Sequence, residues 1–157
     1  VAHSKETGRE PGVNDIERVI RLRSGMGNEI TGTQYALALQ AIHRVGRIFG
    51  RFMEDFDVIM TPTVARPPLE LGKLNTDTDD VPTFLENVYG FIPFTAVFNA
   101  TGQPAMSVPL HWNDDGLPIG VQFASSFGDE ATLFRLAGQL EQTCPWADRR
   151  PPVNAES

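Results

Sequence analysis

The sequence predicts an α/β fold, and three observations carry that reading. A long stretch before Asp57 repeats apolar residues at helical spacing; three short apolar runs are bounded by proline or turn residues; and the order along the chain is helices, strand, long loop, short helix, two strands, helix. That order divides the chain into a helical segment over 13–56, a sheet-and-helix segment over 57–142 and an irregular tail over 143–157, rich in Pro and Arg near its start. Three strands are few for a sheet whose central strands are apolar on both faces. The chain is therefore expected to complete a larger sheet supplied by further sequence or by another polypeptide.

Taken in order, Asn14 is placed to cap a first helix with Glu17 at its third position and Ile16, Val19 and Ile20 on one side, broken by Gly25 and Gly27. Thr31 and Gln34 form a second capping box, opening a helix over about 33–55. Its stripe runs Tyr35, Leu39, Ile42, Gly46, Phe49, Met53, and Gly46 with Gly50 predicts a close backbone crossing. The run Asp57–Thr61, DVIMT, lacks alternation, which predicts a central strand of a largely parallel sheet covered on both faces. From Pro62 through Val81 a long connection is expected, with order resuming over Asn87–Gly90.

A short helix within Phe91–Thr101, built around Phe94, Val97 and Phe98, follows, and Gly102 supplies the left-handed residue that stops it. Ala105–Val108 is the second strand, limited by Pro109. The turn NDDG, Asn113–Gly116, joins it to the third strand, Ile119–Ala124, and so short a connection predicts an antiparallel pair. Within GLPIGVQ, Gly116 turns, Pro118 sets the strand entry and Gly120 permits close packing. Gly128 leads into a last helix whose Asp129 and Glu130 favour the first-turn amides, with Leu133, Phe134, Leu136, Ala137 and Leu140 on its buried side.

Composition bounds the function. The 157 residues include 41% hydrophobic ones, enough for a core. Twenty acidic residues against thirteen basic ones give a net charge of −7, which excludes direct nucleic-acid binding as the main role. No apolar run approaches the roughly eighteen residues of a membrane span. Cys144 is alone, which excludes an intrachain disulfide and a thiolate metal site and favours a reducing, cytoplasmic setting. The polar opening VAHSKETGREPG, starting at Val1, reads as a cut or processed start.

Local catalytic signatures are absent: no GxSxG elbow, Walker loop, dinucleotide fingerprint or HExxH occurs, and no cofactor or metal is implied. His43 reads as a surface residue of the long helix and His111 as a loop residue beside Asp114 and Asp115. The Asp77, Asp79, Asp80 cluster lacks the glycine and glutamate of a calcium loop. Asn99-Ala100-Thr101 matches a glycan acceptor in an apolar neighbourhood without a secretory segment. Ser107 has no base at fixed local spacing and reads as a small polar strand residue satisfied by hydrogen bonding. No catalytic residue is assigned.

The segments DVIMTPTVARPP, FTAVFNATGQPAMSVPL and GLPIGVQFASSFGDEATLFRLAGQLEQ together resemble the C-terminal portion of the amidase signature family, from the long helix to about Gln142. The resemblance implies that residues 1–157 form a partial amidase domain, the C-terminal part of a mixed β-sheet core flanked by helices. It implies a hydrolase that cleaves carboxylic amide C–N bonds through a serine nucleophile. The Ser-Ser-Lys catalytic region would lie in upstream sequence missing here, leaving this chain inactive by itself. By the same resemblance, the TPT stretch Thr61–Thr63 ends a core strand near the substrate side, and residues between Pro62 and Phe98 form a variable pocket wall, with Phe91, Phe94, Thr95 and Asn99 substrate-proximal. Gly102 and Pro104, in FNATGQP, pack near the active-site end. Where family members commonly carry a small, flexible residue after the second strand, this chain has His111 and Trp112, leaving the substrate class open. The implied partners are a small-molecule amide substrate in the full enzyme, the missing N-terminal portion or a companion chain, and, as a further possibility, a second copy in a homo-oligomer. Two alternatives stay open: a noncatalytic structural or interaction chain, and the amidase-like subunit of an amidotransferase.

Overall fold

The computed structural model describes residues 2–12 and 14–150, with side chains from Ser4 onward. The elements are α1 (Ala2–Thr7), α2 (Arg18–Gly27), α3 (Gly32–Phe52), β1 (Val58–Pro62), α4 (Val81–Phe91), α5 (Ala96–Thr101), β2 (Ala105–Trp112), β3 (Pro118–Ser125) and α6 (Glu130–Thr143). They fall into two compact units, one of residues up to Ala38 with Leu69–Gly90, the other of Leu39–Pro68 with residues from Phe91 onward.

In the first unit, α2 begins at Arg18 rather than after Asn14. Asp15 is spent on the preceding turn, where its carboxylate accepts from Gly12 N at 2.8 Å and from Arg9 Nη2 at 2.6 Å, so Asn14 stays in that turn. The helix runs through Gly25 to Gly27, because an interior glycine weakens a helix without forbidding it. The first residues of α3 carry the expected reciprocal cap: Gln34 N donates to Thr31 Oγ1 at 3.2 Å and Thr31 N to Gln34 Oε1 at 2.8 Å. Order, expected to resume only at Asn87–Gly90 after a connection running through Val81, begins at Val81 itself, in the helix α4. Its start is held by Asp80, whose Oδ1 accepts from Thr83 N at 3.1 Å and whose carbonyl accepts from Phe84 N at 3.1 Å. The acid-rich loop is also tied down by an Arg18–Asp79 ion pair and by Val19 N donating to Thr76 O at 3.0 Å, beside the fully buried Val19.

The second unit is built on a three-stranded sheet of order β1-β3-β2, antiparallel throughout among the described residues. The parallel expectation for β1 is thus corrected. The central, doubly covered position is corrected too: β1 lies at the edge of this sheet with Met60 67% exposed, and its direction comes from pairing with β3, where Thr61 stands opposite Gln122. The β2–β3 hairpin is antiparallel as the short turn requires, and β2 continues past Pro109 to Trp112. Proline is tolerated there because β2 lies at the sheet's edge and its register shifts between Pro109 and His111.

Helix α6 covers one face of this sheet. Val108, Phe123 and Leu133 form the buried core, joined by Val58, Met106, Leu110, Val121, Leu136, Leu140 and Trp146. Asp129 caps α6 by accepting from Thr132 N at 3.3 Å. Phe134, expected on the buried side, is 78% exposed: Leu133 occupies the position that faces the sheet, and the next residue is turned by about 100°. On α3, Phe49 meets Phe98 of α5 edge to face at 5.8 Å between ring centroids, and a Cβ at Gly46 would touch Thr101. A Cβ at Gly50 would meet open space, so the crossing is made at Gly46 alone. Within the tail, residues 145–150 are irregular, and residues 151–157 lie outside the described residues.

Candidate functional site

The second sheet face carries a polar row. Pairing places Thr61 of β1 and Ser107 of β2 on either side of Gln122 of β3, so all three side chains share the face opposite α6. Gln122 is 5% exposed. Its Nε2 donates to Thr61 Oγ1 at 3.0 Å and to the carbonyl of Phe94 at 3.3 Å. One step along the strands, the hydroxyls of Thr63 and Ser107 share a hydrogen bond of 2.6 Å, while Thr63 N donates to Gly120 O at 3.0 Å. A Cβ on Gly120 would stand 2.7 Å from Thr63 Oγ1 and 2.8 Å from Ser107 Oγ, so only glycine leaves these hydroxyls room to meet.

Above this row runs the segment from Phe91 to Gly102. Its first residue is pinned by Ala65 N donating to Phe91 O at 2.9 Å, and Phe94 is pinned by Gln122. Phe91, Phe94 and Thr95 are half-buried, and Thr95 precedes the first turn of α5, where its carbonyl accepts from Phe98 N at 3.2 Å. Asn99 is exposed on α5. Gly102 ends that helix at φ 76°, its N donating to Phe98 O at 2.9 Å, and a Cβ there would meet the Phe127 ring at 3.3 Å. Pro104 passes the chain to β2, its carbonyl accepting from Ser125 N at 3.2 Å. At the far end of the hairpin Gly116 turns at φ 76° and Pro118 opens β3.

The other titratable candidates lie apart from the polar row. His43 lines a groove of about 470 Å³ with Arg47, Arg51, Thr101, Gln103 and Phe127. His111 is exposed on β2, and Cys144 is exposed at the end of α6. Among the described residues no group of three or more His, Cys, Asp or Glu side chains is arranged to hold a metal ion, and no helix is long and apolar enough to cross a membrane. Asp80 is the acid whose ionisation is set by the fold: the Thr83 side chain and backbone hydrogen-bond its carboxylate and hold its pKa below the ordinary value.

Within the described residues the row's hydrogen bonds run between its own side chains and to the Phe94 carbonyl. The partner of Ser107 is the Thr63 alcohol, which is far too weak a base to take a serine proton. Sequence reading missed Gln122, whereas Thr63 belongs to the Thr61–Thr63 stretch expected near the substrate side. The signal for Gln122 was present, since an amide side chain interrupts the apolar run of IGVQFAS at a position that a strand buries.

Comparison with known proteins places this geometry in a larger architecture. The 6-aminohexanoate-cyclic-dimer hydrolase of Paenarthrobacter ureafaciens is 32% identical over 152 residues, covering 93% of this chain and 31% of that protein. A solved structure of 6-aminohexanoate cyclic dimer hydrolase superposes with a TM-score of 0.86 at 31% identity over 96% of this chain and 32% of its own. A bacterial aryl acylamidase of the amidase signature enzymes shares the fold, with a TM-score of 0.73 at 21% identity over 96% of this chain and 32% of its own. The chain thus spans about a third of the length of these proteins. The Amidase family model matches residues 4–134, and on that match and these likenesses the chain belongs to the amidase family.

Proposed function

We propose that this chain forms the C-terminal part of an amide hydrolase and shapes its substrate pocket. The observation that carries the reading is the TM-score of 0.86 at 31% identity to a 6-aminohexanoate cyclic dimer hydrolase over 96% of the chain. In this reading a serine supplied by sequence beyond these 157 residues attacks the amide carbonyl. The amine or ammonia leaves, and water hydrolyses the acyl-enzyme, with backbone amides holding the oxyanion. Phe91, Phe94, Thr95 and Asn99 stand near the substrate, on a segment clamped to the polar row of the sheet. The substrate is a small amide, and the cyclic dimer of 6-aminohexanoate is the first compound to assay, because the similar hydrolases are named for it.

The partner is the remainder of the amidase domain, on the same polypeptide or on a companion chain. Apolar side chains exposed along α3, among them Tyr35, Leu37, Ile48 and Phe52, support a covering partner of that kind, and a homo-oligomer would use the same surface chemistry. The single exposed Cys144 fits a reducing cytoplasm.

The test is an assay of amine or ammonia release from the cyclic dimer and from simple aliphatic and aromatic amides. The chain alone is expected to turn over none of them. The polypeptide that joins it to its encoded upstream region is expected to turn over at least one. Turnover by the isolated chain that disappears in Ser107→Ala would refute the assignment, as would a complete gene product without a serine- and glycine-rich region and its lysine.

A further inference from the structure

A polar side chain is buried in the middle strand of the sheet. Gln122 lies on β3, between β1 and β2, where Val121, Phe123 and Ala124 show the apolar types that packing alone would select. An amide buried at 5% exposure is costly unless its hydrogens are used. Gln122 uses them in two directions: towards Thr61 Oγ1 in the neighbouring strand, and out of the sheet to the carbonyl of Phe94.

The segment between α4 and α5 has no helical or strand ladder of its own over 92–95. Two bonds fasten it to the strands: Ala65 N to Phe91 O at 2.9 Å, just beyond β1, and Gln122 Nε2 to Phe94 O at 3.3 Å. The rings of Phe91 and Phe94 hang from those two points. Of the two, the Gln122 bond is the one made by a side chain, so it can be removed without changing the backbone.

We infer that Gln122 is a positioning residue for substrate binding: through the Phe94 carbonyl it fixes the Phe91–Thr95 turn, and with it the pocket wall facing the amide substrate. The inference deepens the proposed amide hydrolase function and rests on that reading. It concerns binding rather than chemistry, since Gln122 reaches backbone and a threonine and touches no reacting group.

Gln122→Met keeps the length and apolar bulk but removes both donors. Gln122→Glu keeps the shape and sets an acceptor against the Phe94 carbonyl. In the assembled amidase, both variants are expected to raise KM for the hydrolysed amide roughly fivefold or more with kcat within about twofold, the pattern of lost ground-state binding. Val108→Ala, on the opposite sheet face, is the control for general destabilisation. It should lower the unfolding temperature while leaving KM within about twofold. Hydrogen exchange on the chain itself supplies a second readout. In Gln122→Met the Ala65 amide, which donates to Phe91 O, should exchange roughly fivefold faster while β3 amides keep their rates.

An unchanged KM, equal KM shifts in Gln122→Met and Val108→Ala, or β3 amides accelerating with Ala65 would each overturn the inference. If the assembled wild-type protein hydrolyses no amide, the proposed function fails instead. The exchange of Ala65 then still decides whether Gln122 holds the turn.

Discussion

At the scale of single residues, two positions make sharp tests. Gly120 is required by its neighbours, because the Thr63 and Ser107 hydroxyls occupy the space a Cβ would need. Gly120→Ala is expected to cost about 1–3 kcal/mol, measured by urea unfolding, as the hydroxyl pair is forced apart. A variant as stable as the parent would show that the sheet yields there. Asp80 tests the start of α4. Its folded pKa is depressed below the ordinary 3.8 by Thr83, so its stabilising contribution is present above the unfolded value and lost as pH falls through the lower folded one. The protection of the Thr83 amide, its exchange taken relative to the intrinsic rate at each pH, should therefore fall on acidification through that window in the parent protein. Asp80→Asn, which still offers an oxygen but does not titrate, should lack the transition. Legibility at this scale was uneven. Gly102 and Gly116 could be read from composition because a left-handed turn favours one residue type, and both adopt positive φ. Gln122 needed the fold, because its partners Thr61 and Phe94 lie 61 and 28 residues away.

At the scale of elements, α6 separates propensity from packing. Gly138 lies within the helix, and a Cβ added there would meet nothing within 4 Å, so Gly138→Ala should raise stability by roughly 0.5–1 kcal/mol. Leu133→Ala, in the same helix but in the core with Val108 and Phe123, should lower it by about 2–5 kcal/mol. Thermal unfolding of the two variants checks both signs, and a destabilising Gly138→Ala would mean that α6 packs more tightly than its open side implies. The elements best read from sequence were those with local causes: α3 from its capping box, the hairpin from its short turn, α6 from Asp129. The start of helix α4 was missed because an acid-rich approach, read as loop, supplies its first-turn acceptor through Asp80. The end of β2 was misplaced because a proline is a stop in a central strand and tolerable at an edge, and strand order cannot be read from a strand's own residues.

At the scale of the whole molecule, the expectation is that catalysis belongs to the assembled amidase. An isolated chain should show no amide turnover, while its apolar α3 residues, exposed in this structure, should bind a hydrophobic dye. Joined to the rest of the domain, the protein should lose most of that dye binding; undiminished binding would place the covering partner elsewhere. By itself the sequence determined the α/β class, the caps of α3 and α6, the left-handed turns, the hairpin and the family, because each depends on residues close together in the chain or on segments kept in order. Only the tertiary structure decided the antiparallel direction of β1, the position of β2 at an edge, and the row that joins Thr61, Thr63, Ser107 and Gln122 beneath the Phe94 carbonyl. These depend on which distant strands pair and in what register, and a shift of one residue would have turned Gln122 to the opposite face, towards α6.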